Sequence, residues 1–390
     1  MSRQTLNFKI NPMICAIPRE TAPGEVRAAG TPSSVARLMK LGLEVRVETG
    51  LGLGSGYPDA SYAAAGAAVV LSREALLEAA DVVLRVRKPD EADLDRMRPG
   101  ALHMGFLDPF QNVHLIGAIA SRGLSAIAME LIPRSTRAQA MDALTSQANL
   151  AGYAAVIWGA AHLRKVLPMM STAAGTILPA RVFVIGAGVA GLQAIATARR
   201  LGAKVEAFDT RPVAAEQVES LGAKFVRIDL GGTTGQTAQG YAQALTPEQE
   251  ARQREGMIKL CAESDLIIST AQVFGKRAPV LITSEMLDAM KPGTVVVDLA
   301  VDTGGNVEGV ILNQTIERKG VTILGQTHLA NRVATHASQV YAMNLTALLA
   351  DIWAAETRSL RLDPGHDILG SCLLVQDGKI RDARFAPSSG

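Results

Sequence analysis

The chain reads as an α/β protein made of two doubly wound parallel-sheet domains with a cleft between them, linked by long helices. Two observations predict this class. Short β-branched runs alternate with helical segments twice over, before Pro133 and again after Arg181, and such alternation means parallel strands joined by crossover helices. Hydrophobic residues make up 48% of the 390, aromatics only 4%, so burial falls to Ala, Val, Leu and Ile, as strands covered on both faces require. A chain of this length is expected to hold two or three domains.

The first unit places strands at 13–17, 43–47, 67–70, 81–86, 101–107 and 125–131, with helical segments such as 31–41 and 72–80 between them. From Pro133 to His162 the pattern becomes one long helical run, in which Ala148, Gly152, Ala155 and Gly159 permit close packing. Strands at 181–185, 204–208, 224–228, 265–270, 294–299 and 321–324 then make a six-strand doubly wound pattern, with Gly ending the helices before LGAKVEAFD and LGAKFVRID. The polar segment 231–255 interrupts it, either as a surface insertion with a helical second half or as a functional loop. A long helix follows at 331–353, and the tail, with strand signals at 372–375 and a turn at Asp377-Gly378, is expected to pack back on the first unit. The expected domains are therefore 1–144 plus 335–390, and 145–334.

Several function classes fall away on composition. With 39 basic and 37 acidic residues the net charge is +2, and no run of five or six like charges offers a grip on a nucleic-acid backbone. Cys15, Cys261 and Cys372 are odd in number and widely spaced, which fits neither a disulfide framework nor a metal site. The first eleven residues lack a signal-peptide core and read as a short leader. The longest apolar stretch, 151–163, falls short of a membrane span, so the chain is expected to be soluble.

The strongest motif is Gly186-Ala187-Gly188-Val189-Ala190-Gly191, directly after the strand RVFVI and at the head of a helix. Gly186 allows the tight turn, Gly188 lets a pyrophosphate approach the backbone, and Gly191 lets helix and strand pack closely. Asp209, 23 positions after Gly186, ends the next strand, so strand, helix and acid agree on a Rossmann-like dinucleotide site. The acid would accept the adenosine ribose hydroxyls and repel a 2′-phosphate, favouring NAD over NADP, although Arg211 beside it is a residue able to hold that phosphate.

A second constellation heads the long helical run. Gln139, Asp142 and Thr145 recur at i, i+3 and i+6, along one side of a helix, with Arg134 and Arg137 before or in its first turn. The row is either a solvated helix face or a site able to hold a carboxamide.

These residues carry a resemblance that spans nearly the whole chain. PRETAPGEVR, PRSTRAQAMDALTSQANLAGY, IGAGVAGLQAIATARRLGA, FDTRP, EQVESLGAKF, GKRAPVLIT and KPGTVVVDLAVDTGGN resemble the NAD(H)-binding alpha-1 component of proton-translocating nicotinamide nucleotide transhydrogenases, a family related to the alanine dehydrogenases. The resemblance implies that Arg134, Asp142 and Thr145, the last a Ser in the family, surround the nicotinamide carboxamide, and that Gln139 reaches toward a second nucleotide. It counts Arg137 among the cofactor-binding residues and sets Gly186, Gly188, Val189, Ala190 and Gly191 against the pyrophosphate. Asp209, Thr210 and Arg211 then lie at the ribose, Ala271 after the fourth strand, and Gly240 and Tyr241 on a mobile loop that closes over NAD(H).

It further implies direct hydride transfer to NADP(H) on a partner subunit, proton coupling through a membrane-spanning subunit, a homodimer with long helices at its interface, and a peripheral place on the cytoplasmic face of the membrane. Such a transfer needs position but no general base, and no metal is expected. Two alternatives stay open: an alanine-dehydrogenase-like oxidoreductase, for which Arg27 would bind a substrate carboxylate and His103 lies near the catalytic His, and a catalytically silent NAD-binding regulatory module. The segments 272–279 and 327–332 depart from the family pattern near the carboxyl ends of strands.

Overall fold

The computed structural model describes residues 12–232, 235, 243, 245–272 and 275–386. The chain divides into two compact units, Met1–Gln147 with Val333–Gly390, and Ala148–Arg332.

The first unit contains strands β1 (Ile14–Ile17), β2 (Glu44–Glu48), β3 (Ala68–Val70), β4 (Val82–Leu84), β5 (Leu102–Gly105) and β6 (Ser125–Ala128). The second contains an outlying hairpin, β7 (Met170–Thr172) and β8 (Gly175–Ile177), then β9 (Arg181–Ile185), β10 (Lys204–Phe208), β11 (Lys224–Phe225), β12 (Leu266–Ser269), β13 (Val295–Asp298), β14 (Thr315–Arg318) and β15 (Val321–Leu324). The chain then returns to the first unit with a two-stranded ribbon, β16 (Trp353–Ala354) and β17 (Ser359–Leu360), and the tail strands β18 (Leu373–Gln376) and β19 (Lys379–Ile380).

The first sheet has the order β19-β18-β6-β5-β4-β1-β2-β3, parallel except for β18 and β19. The tail joins it because Leu373–Gln376 is apolar and buried beside β6, and because Ser125 Oγ accepts the Asp377 N–H at 2.9 Å while Gly378 takes φ +77° in the turn. The first crossover helix, Pro32–Leu41, starts where Thr31 and Ser34 form a capping box with Pro at the first turn, and stops at Gly42 in the left-handed region.

Beneath this sheet's carboxyl edge lies a buried ion network. Arg85 is 1% exposed and bonds to Asp93 and, at 3.2 Å, to Glu20; Arg73 grips Asp93 through Nε and Nη2 at 2.7 and 2.6 Å and reaches Glu48 at 2.6 Å. The long helix Ala334–Ile352 closes over it, with Tyr341 donating its hydroxyl to the Arg85 carbonyl at 2.8 Å.

The second sheet runs β11-β10-β9-β12-β13-β15-β14. Its alternation shows both faces covered: Val182 and Val184 of β9 belong to one apolar cluster, Phe183 and Ile185 to the other. The six expected strands are present, β11 being shorter than expected, and β14 adds an antiparallel edge. That edge strand, TIER, is mostly polar, so its sequence resembles a loop. A helix at Pro247–Glu263 accounts for the second half of the polar insertion, started by a Thr246–Gln249 capping box.

The long run before it departs from expectation. The helix begins at Ala143, not near Pro133, after a 3₁₀ turn at Gln139–Met141. The cause is Asp142: its backbone is non-helical (φ −72°, ψ 88°), and its carboxylate accepts the Thr145 N–H at 2.9 Å, which caps the helix there. Gln139, Asp142 and Thr145 therefore span a turn and a cap rather than one helix face.

Burial opposes ionisation of Asp93, but Arg73 and Arg85 outweigh it and hold its carboxyl below the usual carboxylate range. Asp93→Ala leaves two cations short of a partner and is expected to cost the first unit about 3–5 kcal/mol in a urea titration. Because the folded pKa is depressed, the wild-type contribution is present above the unfolded value and is lost as pH falls below about 4. A wild-type–variant stability gap that stays constant as pH is taken well below that value would exclude this assignment.

Candidate functional site

The glycine loop of the second unit is built by what its residues lack. Gly186 leaves β9 at φ +91°, its N–H bonded to the Phe208 carbonyl at 2.8 Å. A Cβ on Gly191 would overlap the Gly186 carbonyl, so only glycine lets the Val189–Arg200 helix lie this close to the turn. Among the described residues a Cβ at Gly188 would meet nothing within 4 Å, and no side chain caps the helix that starts there. The open space and the uncapped N-terminus, with Val189 and Ala190 as its first residues, fit a pyrophosphate.

The loop is backed by the helix that carries Gly152, where a Cβ would overlap the Ala190 carbonyl; further along, Gly159 lies against Leu266 and Val297. The strand order reverses between β9 and β12, and the carboxyl ends at such a reversal are where doubly wound sheets bind ligands. There Thr270 Oγ1 donates to the Gly186 carbonyl at 3.0 Å, and both backbone groups of Ala271 are held by the buried Asn306 side chain, at 3.1 and 2.9 Å. Asn306 is in turn fixed by Asp298, whose carboxylate accepts the N–H groups of Ala300, Asn306 and Val307. Spacing and composition do not mark Asn306 or Asp298 as site residues, although both lie inside the string VVVDLAVDTGGN.

Asp209 stands beside the loop, with Thr210 next to it; its carboxylate accepts the Ala187 N–H at 2.7 Å and is clasped by Arg211. Gly240 and Tyr241 lie outside the described residues.

In the first unit the polar segment is fastened to the Ala334–Ile352 helix and the chain after it. Arg137 pairs with Asp351 at 2.9 Å and Asp367 at 2.6 Å, and Asn344 Nδ2 donates to the Ala140 carbonyl at 2.8 Å. Between these ties Arg134 and Gln139 are exposed. Asp142 and Thr145 are half-buried and joined a second time, the Thr145 hydroxyl donating to Asp142 Oδ2 at 2.6 Å. Together they present a carboxylate and a hydroxyl in one fixed geometry, able to meet an amide.

His103, Arg27 and the three cysteines are poorly suited to proton transfer or nucleophilic attack. His103 is fully buried, its ring nitrogens have no hydrogen-bond partner among the described residues, and burial with the nearby Arg85 charge lowers its pKa to about 3. It stays neutral. Arg27 is closed upon Glu25, at 2.8 and 2.6 Å, and upon Gln147 at 2.7 Å. Burial pushes the thiols of Cys15, Cys261 and Cys372 up to about 12. Among the described residues no group of three or more His, Cys, Asp or Glu side chains is placed to hold a metal ion.

Comparison with known proteins gives the family and the fold. Residues 16–151 match the family described as alanine dehydrogenase/PNT, N-terminal domain, and residues 155–383 match its C-terminal domain. The first of the chains that make up the NAD(P) transhydrogenase alpha subunit of Rhodospirillum rubrum is 44% identical over 374 residues, covering 94% of this chain and 97% of that one. An alanine dehydrogenase of Mycobacterium tuberculosis is 33% identical over 300 residues, 76% of this chain and 75% of that one. Among solved structures, a transhydrogenase from Sinorhizobium meliloti aligns with a TM-score of 0.86 at 46% identity, over 94% of this chain and 99% of that one. An L-alanine dehydrogenase aligns at 0.77 with 28% identity, over 96% of this chain and 98% of that one.

Gly152→Ala tests whether this helix sets the loop. The added methyl must displace the Ala190 carbonyl, so the variant is expected to lose about 1–3 kcal/mol of stability and to bind a dinucleotide roughly tenfold more weakly. Fluorescence titration of bound NADH reads the second effect, and unchanged binding would remove the helix from the loop's support.

Proposed function

The chain belongs to the alanine dehydrogenase/transhydrogenase family, and on that premise we propose that it is the NAD(H)-binding subunit of a proton-translocating NAD(P) transhydrogenase. The observation that carries the reading is the 44% identity to a transhydrogenase alpha-subunit chain over almost the full length of both. The second unit's residues fit the dinucleotide: the N–H groups around Gly188, Val189 and Ala190 bind the pyrophosphate, and Asp209 accepts the adenosine ribose hydroxyls. Bound NAD(H) supplies or accepts the hydride at its nicotinamide ring.

The remaining task of this chain is positioning. Asp142 and Thr145 orient the carboxamide through a pair of oxygens locked by the helix cap, Arg134 pairs with the same group, and the exposed Gln139 reaches the second nucleotide. NADP(H) is held by a partner subunit, and a membrane-spanning partner couples the transfer to proton movement. Among the described residues no helix is long and apolar enough to cross a membrane, and the chain works as a peripheral component on the cytoplasmic face. A homodimer is supported by the hairpin segment, where Met169 and Leu178 are 63% and 77% exposed; apolar groups gathered on an outlying ribbon suit burial against a second copy.

The reading as a keto-acid dehydrogenase has less support. It needs a free cation for the substrate carboxylate and an acid for the carbonyl, whereas Arg27 is already matched by Glu25 and His103 is neutral and buried.

Three outcomes follow. In a single-turnover experiment, this chain loaded with NADH and mixed with a transhydrogenase NADP(H)-binding domain is expected to reduce an NADP analogue directly; turnover of pyruvate and ammonia alone would replace this reading with the dehydrogenase. Asp142→Asn keeps a residue that caps helices well, so NADH binding should change little while transfer slows about tenfold, the cost of one weakened charge-assisted contact. Leu178→Lys combined with Met169→Lys should convert the dimer to monomers in sedimentation, and an unaltered dimer would place the interface elsewhere.

A further inference from the structure

Asp209 stands at the proposed ribose site with its acceptors already filled by the protein. Oδ1 accepts from the Arg211 backbone N–H at 2.8 Å and from Arg211 Nε at 2.9 Å; Oδ2 accepts from the Ala187 N–H at 2.7 Å and from Arg211 Nη2 at 2.7 Å. A carboxylate has about four lone-pair positions, so an incoming donor finds none open. The pair is also shielded, with side-chain exposures of 6% for Asp209 and 14% for Arg211.

The four bonds are of two kinds. Each oxygen takes one backbone N–H, fixed by the glycine loop or by the turn after β10, and one bond from the Arg211 guanidinium, which sits at the end of a rotatable side chain. A vicinal diol donates two hydrogen bonds. It can replace the guanidinium bond on each oxygen while the backbone bonds stay.

We propose that Arg211 is a displaceable plug of the adenosine ribose site, which the 2′- and 3′-hydroxyls must move off Asp209 and whose charge weakens the site's rejection of a 2′-phosphate. The inference rests on the dinucleotide reading above. With Arg211 present the ribose site carries one negative and one positive charge, and a 2′-phosphate meets a cation as well as an anion. Without it Asp209 alone faces the phosphate, and like charges repel in a partly shielded site. Arg211 therefore both competes with the ribose diol and blunts the discrimination that Asp209 would otherwise give.

The test uses the full chain and two probes, NADH and NADPH, titrated by nucleotide fluorescence against wild type, Arg211→Gln and Arg211→Lys. Arg211→Gln is expected to bind NADH about threefold to tenfold more tightly and NADPH at least about tenfold more weakly. Arg211→Lys keeps the charge but loses the two-pronged grip, so NADH should tighten while NADPH binding is retained. Weaker NADH binding in both variants, or an unchanged NADH-to-NADPH preference, overturns the plug. Should Arg211→Gln fail to fold, the NADH affinity of Arg211→Lys decides the matter alone. A folded wild-type chain that binds neither nucleotide overturns the dinucleotide site and this inference with it, whereas intact binding with an unchanged preference overturns this inference only.

Discussion

The second unit depends on how closely backbone can approach backbone around one turn. At Gly191 the Val189–Arg200 helix lies against the Gly186 carbonyl, and at Gly152 another helix lies against the Ala190 carbonyl of that first helix's opening turn. A single methyl at either position would need space already filled by a carbonyl oxygen, and dense interiors transmit such a shift rather than absorb it. These contacts position the opening N–H groups of an uncapped helix, and Gly188 leaves open space before them. The open helix N-terminus is thus a consequence of packing between helix, strand and second helix, and its backbone dipoles suit the negative charge of the proposed ligand.

The first unit solves a different problem. It buries arginines with their carboxylates, and the pairing leaves little charge to offer a substrate: Arg85 is held by Asp93 and Glu20, Arg27 by Glu25 and Gln147. Buried pairs of this kind contribute uncertain net stability, yet breaking one is costly. Their effect here is to fix the carboxyl edge of the sheet and the long helix above it, to which the segment bearing Arg137 and Ala140 is tied. Rigidity at that segment serves a positioning function better than a reactive one.

Much of this was legible in the sequence because the strands are short, β-branched and separated by glycine-ended helices. The strands of both units, the return of the tail to the first unit and the glycine loop all follow from patterns a few residues long, whereas the strand order and the pairing of the tail with β6 do not. What was not legible depends on competition or on distant partners. The i, i+3, i+6 spacing of Gln139, Asp142 and Thr145 suits a helix, but spacing does not say whether an Asp side chain will take the first-turn N–H and begin the helix itself. β14 is polar and gains its identity only from pairing with β15. Asn306 is invisible for the same reason: the four polar contacts of its side chain are with Ser269, Ala271 and Pro279, residues 27 to 37 positions away.

The chemistry that the site can support follows from what its polar groups are already doing. A dehydrogenase acting on a carbonyl must move a proton as well as a hydride, so it needs a group whose pKa lies near the working pH and which can reach the substrate. His103 is neutral, buried and far below that range, and the cysteine thiols lie far above it. Glu130 is pushed up to about 7 by burial, but one oxygen is committed to the N–H groups of Leu107 and Asp108. It holds the turn after β5 and is itself buried. Hydride exchange between two nicotinamides asks for no such group, only for two rings held at contact distance and in register. The helix cap that joins Asp142 to Thr145 fixes their oxygens in one geometry, which is what the proposed hold on a carboxamide requires.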